Sequence, residues 1–350
     1  MGVRKKIGEW LFGPLAEITK EPIEDIVKSV QPAQEKTILE YPEEKQLIIK
    51  SKPTTVYRPS TWKEYIGQEK AKDTMKSYIK AMMKRKQVLG HVIIHGQAGT
   101  GKTTLAEIIA NELNVKIQEV IAGSVDDAGM LIELIRKSKK GVVFVDEVHA
   151  LPRITVEQLY TVMEDFKFNG KRLNKFTLIG ATTELGEIIK DRRPFYDRFK
   201  IIIELEEYTV SDMVYIAKQY KSRTFPNDRF RKENYFTIAR NSRGVPRMAI
   251  RLLEATVYLV SIDQVLKNFS IIQNGYTEKD LKTLKYISKN EKGVGMQSIA
   301  SFLGTSSQGY LYEIEPYLLQ TGLLIRAPRG RKLSKEGYEM IEKLEKAKGK

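Results

Sequence analysis

The 350-residue chain contains no cysteine. Disulfides, thiolate metal sites and a cysteine nucleophile are thereby excluded. Three histidines leave little material for a His-rich metal centre. No apolar run approaches the roughly 20 residues that a membrane helix needs. A short apolar run over residues 7–16 follows a basic start, but Glu9 interrupts it and no small-residue cleavage site follows, which argues against a secretory signal. Lys6 stands where a myristoylation signal after Gly2 wants Ser or Thr. The expectation is a cytoplasmic protein. Acids are also the minority charge: 44 Asp and Glu face 59 Lys and Arg, a net charge of +15. Such an excess favours a polyanionic partner, the bland alternative being a solvated, lysine-rich surface. With 41% apolar and 29% charged residues the composition is that of a globular protein, and its length predicts two or three domains.

Four segments are expected. Residues 1–50 form an N-terminal extension, with Ile7, Trp10, Leu11, Leu15 and Ile18 on one face of a short helix and two strands at 37–41 and 46–50. It either packs on the main body or docks a partner. Residues 51–207 alternate strand and helix: helices at 69–85, 102–113 and 156–165, strands at 91–95, 142–145 and 176–181. That alternation implies an α/β fold with a parallel sheet flanked by helices. Residues 208–272 read as three helices, at 211–222, 232–240 and 246–261, with Pro246 suited to a first turn. Residues 273–350 open on a Thr277/Asp280 capping box. Two more helices follow, at 296–303 and 310–320, then strands at 322–325 and 332–333 flanking a basic tip over residues 326–331. Three helices and a basic hairpin are the layout of a winged helix.

Gly96-Gln97-Ala98-Gly99-Thr100-Gly101-Lys102-Thr103 matches GxxxxGK[ST] between a predicted strand and a predicted helix, the context that supports a phosphate-binding P-loop. Its glycines let backbone N–H groups turn toward ATP phosphates. Lys102 reaches the β- and γ-phosphates, Thr103 ligates Mg²⁺, and Gly99, Gly101 and Thr104 complete the cradle. The strand at 142–145 ends in Asp146-Glu147-Val148-His149. Asp146 is the expected second Mg²⁺ ligand, and Glu147 the base that orients the attacking water. His149 reads as structural. The next strand ends in Thr182-Thr183, where a hydroxyl can touch the γ-phosphate or the water. Arg198, in Pro-Phe-Tyr-Asp-Arg-Phe, is a candidate arginine finger, with Arg192 and Arg193 as competitors. Arg247, in Gly244-Val245-Pro246-Arg247, is aimed at a phosphate from a helix start.

The order P-loop, Asp-Glu-x-His, Gly-Ala-Thr-Thr, Asp-Arg-Phe and Ser-Arg-Gly-x-Pro-Arg resembles the RuvB family of Holliday-junction branch-migration motors, within the AAA+ ATPases. Tyr57-Arg58-Pro59 with Tyr65-Ile66-Gly67-Gln68-Glu69, and Glu315-Pro316-Tyr317-Leu318-Leu319 before the basic tip, are similar to that family too. The likeness runs from about Val56 to Tyr338. It implies an AAA+ domain, a helical lid and a C-terminal winged helix, assembled as a hexameric ring around duplex DNA for recombination and repair. It implies that Tyr65 and Ile66 border the adenine and that Thr183 is the sensor 1 residue. Arg198 would reach a neighbouring subunit's ATP, and Arg247 would be the sensor 2 residue of its own subunit. Arg329 and Arg331, with Arg326 beside them, match the DNA-touching tip. Two departures stand out. The family docks its partner RuvA through a long hairpin before sensor 1, but only residues 167–175 are available here, too short for such a hairpin, which argues against a RuvA-like partner. The N-terminal segment has no counterpart. Lesser departures are Gln97-Ala98 in place of two prolines, and Tyr196 in place of an arginine. The leading expectation is an ATP-driven motor on duplex or branched DNA. The alternatives are a loader that places another protein on DNA and a DNA-binding regulator switched by ATP.

Overall fold

The computed structural model describes residues 57–138, 141–290 and 292–348. The readings of residues 1–50 lie outside the described residues. Helix α1 (Glu69–Arg85) precedes β1 (Val92–His95), the P-loop and α2 (Lys102–Glu112). Then come β2 (Ile117–Ile121), α3 (Ala128–Ser138), β3 (Val142–Asp146), α4 (Arg153–Asp165), the short strands β4 (Lys167–Phe168) and β5 (Lys171–Arg172), and β6 (Thr177–Thr182). Helices α5 (Leu185–Asp191) and α6 (Arg193–Tyr196) lead to β7 (Ile201–Glu204). Five strands form one parallel sheet in the order β2-β3-β6-β1-β7.

Successive strand residues point to opposite faces of a sheet. Val143 and Val145 of β3 join Ile93, Leu178 and Phe195 in one core, while Val142 and Phe144 join Val92, Ile94 and Ile179 in the other. Both faces are covered, which is why β3 and β6 are apolar without alternation. The sequence reading passed over β2 and β7. Both are edge strands with one open face, and their exposed positions break the apolar signal.

His91 stitches the sheet to α4. The Met163 carbonyl only accepts, so Nε2 carries the proton (2.9 Å), and Nδ1 accepts from the Leu178 N–H at 2.9 Å. Burial, opposed by the Met163 bond and reinforced by Lys200, lowers its pKa from 6.5 to about 4. Between those values the unfolded chain binds the extra proton, so stability is complete above the unfolded pKa and falls as pH drops through the window. Acidification from pH 7 to pH 5 should cost about 2 kcal/mol of unfolding free energy. The urea midpoint at the two pH values checks this, and His91→Gln should flatten the dependence.

The next unit has four helices: α7 (Val210–Thr224), α8 (Lys232–Asn241), α9 (Pro246–Leu259) and α10 (Ile262–Asn268). Met213, Ala217, Ile238, Leu252 and Leu253 fill its core. A Thr209/Asp212 capping box starts α7. The expected third helix stops at Leu259, and α10 is a separate seven-residue turn of chain, too short to show periodicity.

After a small hairpin, β8 (Ile271–Gln273) and β9 (Tyr276–Thr277), the predicted Thr277/Asp280 box opens α11 (Glu278–Ser288). Helix α12 (Met296–Leu303) follows, and α13 (Ser307–Gly309) runs through a π-turn at Tyr310–Ile314 into α14 (Glu315–Gln320). The wing is β10 (Leu324–Ala327) paired with β11 (Gly330–Leu333), and α15 (Lys335–Lys348) closes the unit. This is the expected winged helix with a tighter tip: only Pro328 and Arg329 turn, while Arg326 and Arg331 are strand residues paired across the ladder. Arg243 ties this unit to the lid. It donates to the Gly275 and Glu313 carbonyls, pairs with buried Asp280 and stacks on Tyr317. Among the described residues no helix is long and apolar enough to cross a membrane.

Candidate ATP site and basic hairpins

The strand order builds the site. Inserting β6 between β1 and β3 brings three strand ends together: the P-loop after β1, Asp146-Glu147 after β3, and Thr182-Thr183 after β6. Ligands of open parallel sheets bind at such carboxyl ends.

A cleft of about 330 Å³ lies there. Tyr65, Ile66, Gly99, Gly101, Lys102, Thr103, Thr104, Asp146, Glu147 and Arg247 all line it. The P-loop is held in an open curl. Gly99 and Gly101 have φ of +80° and +103°, and a Cβ at Gly99 would come within 2.9 Å of Arg247 Cβ. At Gly101 the obstacle would be the Tyr65 hydroxyl at 3.0 Å. That hydroxyl donates to the Gly101 carbonyl, and burial holds its pKa well above the ordinary phenol value, so it stays a neutral donor. The loop is thus clamped between Tyr65 on one side and the start of α9 on the other.

Lys102 Nζ donates to the Gly96 and Gln97 carbonyls at 2.9 and 3.1 Å. Burial pulls its pKa below the ordinary lysine value, with Glu147 and Asp146 opposing and Arg247 adding to the fall. A half-desolvated ammonium among carbonyls gains from an incoming phosphate charge.

Glu147 occupies the left-handed region, with φ of 50°. Strain of this kind in a non-glycine residue is common at functional sites. Its Oε2 accepts from the Thr183 hydroxyl at 3.2 Å, and His149 Nδ1 lies 3.4 Å away. The same His149 nitrogen is 2.9 Å from Thr182 Oγ1, which accepts the Glu184 N–H. His149 thus lies beside both the base and the strand end, a sharper position than its sequence reading as structural conveyed.

Arg198 is elsewhere. It does not line the cleft but pairs with Glu164 Oε2 at 2.8 Å, beside the Tyr160 ring, with its Nε buried and unpartnered. Arg193 pairs with Asp197. Several cleft residues escaped the sequence reading, among them Tyr208, Ile216, Tyr220, Ile250 and Arg251. They come from the lid helices and the chain leading into them, and no local motif marks them. Tyr208 donates to the Thr100 carbonyl at 3.0 Å, joining the lid to the P-loop.

The wing arginines divide. Arg326 Nε and Arg331 Nε donate to Glu315 Oε1 at 3.0 and 2.9 Å, and Arg331 Nη2 donates to Oε2 at 3.1 Å. The Glu315 side chain is fully buried. Burial raises its pKa, and the hydrogen bonds from Arg331 and Arg326 outweigh that, leaving it below the ordinary carboxylate value. Arg329 alone of the three points from the turn without an ion pair among the described residues, and it is exposed. Arg331 holds the wing together, and Arg326 shares Glu315 with it. Arg331→Ala should therefore leave the buried carboxylate with Arg326 as its one cationic partner and destabilise the unit by about 3 kcal/mol. Urea unfolding checks this, and adding Glu315→Gln should recover part of the stability.

Two family profiles match the chain: the Holliday junction DNA helicase RuvB P-loop domain over residues 57–205 and the RuvB C-terminal winged helix domain over residues 273–342. A Holliday junction branch migration complex subunit RuvB from Lactobacillus johnsonii is 36% identical over 307 residues, covering 80% of this chain and 89% of the relative. The chain belongs to the RuvB family. A Prochlorococcus marinus RuvB subunit is 37% identical over 311 residues, 81% of this chain and 87% of its own length. The solved Thermotoga maritima RuvB Holliday junction branch migration motor superposes with a TM-score of 0.71 at 34% identity, covering 81% of this chain and 98% of that one. As in other RuvB-family chains, the parallel P-loop sheet and winged helix make this a nucleotide-binding ATPase fold.

Proposed function

We propose that the chain is an ATP-driven motor subunit that moves duplex DNA and migrates the branch of a four-way junction. The observation that carries this reading is the meeting of Lys102, Asp146, Glu147 and Arg247 at one cleft whose lining does not include Arg198, which pairs with Glu164. Each subunit supplies its own P-loop, base and Arg247, and Arg198 completes a neighbour's site. Catalysis then requires assembly into a closed ring, which we take to be a hexamer. The working units are the extension 1–50, the ATPase domain 51–207, the lid 208–272 and the winged helix 273–350.

Lys102 and Arg247 bind phosphate charge, with Tyr65 and Ile66 beside the adenine. Glu147, steadied by the Thr183 hydroxyl on one oxygen, keeps its other oxygen for the attacking water and takes its proton. The Thr103 hydroxyl and the Asp146 carboxylate are hard oxygen donors that would hold Mg²⁺, which neutralises phosphate charge when bound. Among the described residues no cluster of three metal-binding side chains occurs. That suits an ion shared between one or two protein oxygens and the nucleotide. The test is direct: purified protein with ATP should separate the arms of a labelled four-way junction and hydrolyse ATP faster when duplex is added. Turnover indifferent to DNA, with the junction intact, would reject the motor.

A further inference from the structure

We propose that the β4–β5 hairpin is a second contact with the phosphate backbone of duplex DNA, besides the wing; this rests on the motor reading above. Although too short for a long docking arm, residues 167–175 do fold as a hairpin, with Lys167 opposite Arg172 and Phe168 opposite Lys171. Asn169 and Gly170 take φ of 47° and 72°, the two-residue turn that matches strand twist. The base is fixed. The Leu173 N–H donates to the Phe166 carbonyl at 2.7 Å, Phe166 packs edge-on to Phe176, and Phe166, Phe168 and Leu173 lie against the main core.

What the hairpin presents is charge of one sign. Lys167, Lys171, Arg172 and Lys175 are all exposed, and the segment contains no acid. None of the four has an ion pair among the described residues. Lys167 and Arg172 face each other directly across the ladder. Like charges so placed, roughly 5 Å apart, weaken a strand pair. An anion between them reverses the sign. The wing, by contrast, spends two of its three arginines on Glu315.

The chemistry favours a phosphate backbone over an acidic protein surface. Protein interfaces centre on apolar or aromatic anchors and are poor in lysine. Here the aromatic side chains turn inward and the tip offers only Asn169, Gly170 and cations. A phosphate backbone asks for cations alone. The hairpin also springs from the end of α4, where Glu164 holds Arg198, so the surface is continuous with the element carrying the finger's ion pair.

The experiment is a salt series of duplex affinity by fluorescence anisotropy on the full chain. Lys171→Ala with Arg172→Ala should weaken binding about tenfold and make the log–log salt slope shallower by about 1.8, or about 0.9 for each phosphate no longer neutralised. The swap Lys171→Arg with Arg172→Lys should retain both values. The thermal midpoint reports folding. If it drops in the alanine variant, Lys167→Gln with Lys175→Gln must give the same slope change. Wild-type slope and affinity in the folded variant, with duplex still stimulating ATP turnover, would overturn the hairpin contact and leave the motor standing. No duplex binding and no stimulation in the wild type would remove both.

Discussion

Arg198→Ala is expected to lower ATP turnover by roughly 10³-fold or more while nucleotide affinity changes little. The reason is positional. Arg198 is absent from the residues lining its own subunit's cleft, so its removal leaves bound nucleotide there untouched. Its partner is Glu164, exposed over 62% of its side chain, so the ion pair contributes little to folding and is easily exchanged. Arg198→Lys separates a catalytic role from a structural one. A lysine can still meet Glu164, but it lacks the planar fork that spans two oxygens of a transferring phosphoryl group. Turnover should therefore stay low in the lysine variant. Steady-state hydrolysis alongside binding of a fluorescent nucleotide checks both halves, and near-wild-type turnover in either variant would assign the finger elsewhere.

Glu147→Gln is expected to cost turnover roughly 10²–10⁴-fold, again without weakening nucleotide binding. The glutamine amide preserves shape and can still accept from Thr183, so the strained backbone and the strand ends should stay in place. What it lacks is a basic oxygen for the water's proton. Removal of Thr183 should be milder, because it takes one hydrogen bond from the carboxylate and leaves the base itself in place. A single-turnover measurement isolates the chemical step. An unchanged rate there would mean that another group takes the proton.

How much of this was legible in the sequence depends on how local each signal is. The P-loop is readable because its signature fits within eight consecutive residues. Strand β3 is readable because a strand covered on both faces must be apolar throughout, and the Thr277/Asp280 capping box because its partners are three residues apart. The strand order that joins Thr183 to Glu147 is not local: the two are 36 residues apart and meet only because β6 lies between β1 and β3. Glu315 and Arg331 are 16 residues apart, and their pairing follows from a register that places Arg326 opposite Arg331. A hairpin read with a wider tip over residues 326–331 hides that register. Arg243 lay inside a recognised motif, yet its role comes from Asp280, 37 residues on. The aromatic and apolar residues of the lid that border the cleft have no motif, since their only qualification is where α7 and α9 end up.

An ATP site completed by Arg198 from a neighbouring subunit is the central claim, and mixing two inactive variants tests it most directly. Arg198→Ala subunits keep Glu147, and Glu147→Gln subunits keep Arg198. In an equal mixture that exchanges freely, about a quarter of the interfaces should unite an intact base with an intact finger. ATP turnover should then rise well above that of either variant alone, toward about that fraction of wild type. A mixture no more active than its components, with exchange verified, would place both residues in the same subunit's site and contradict the shared one.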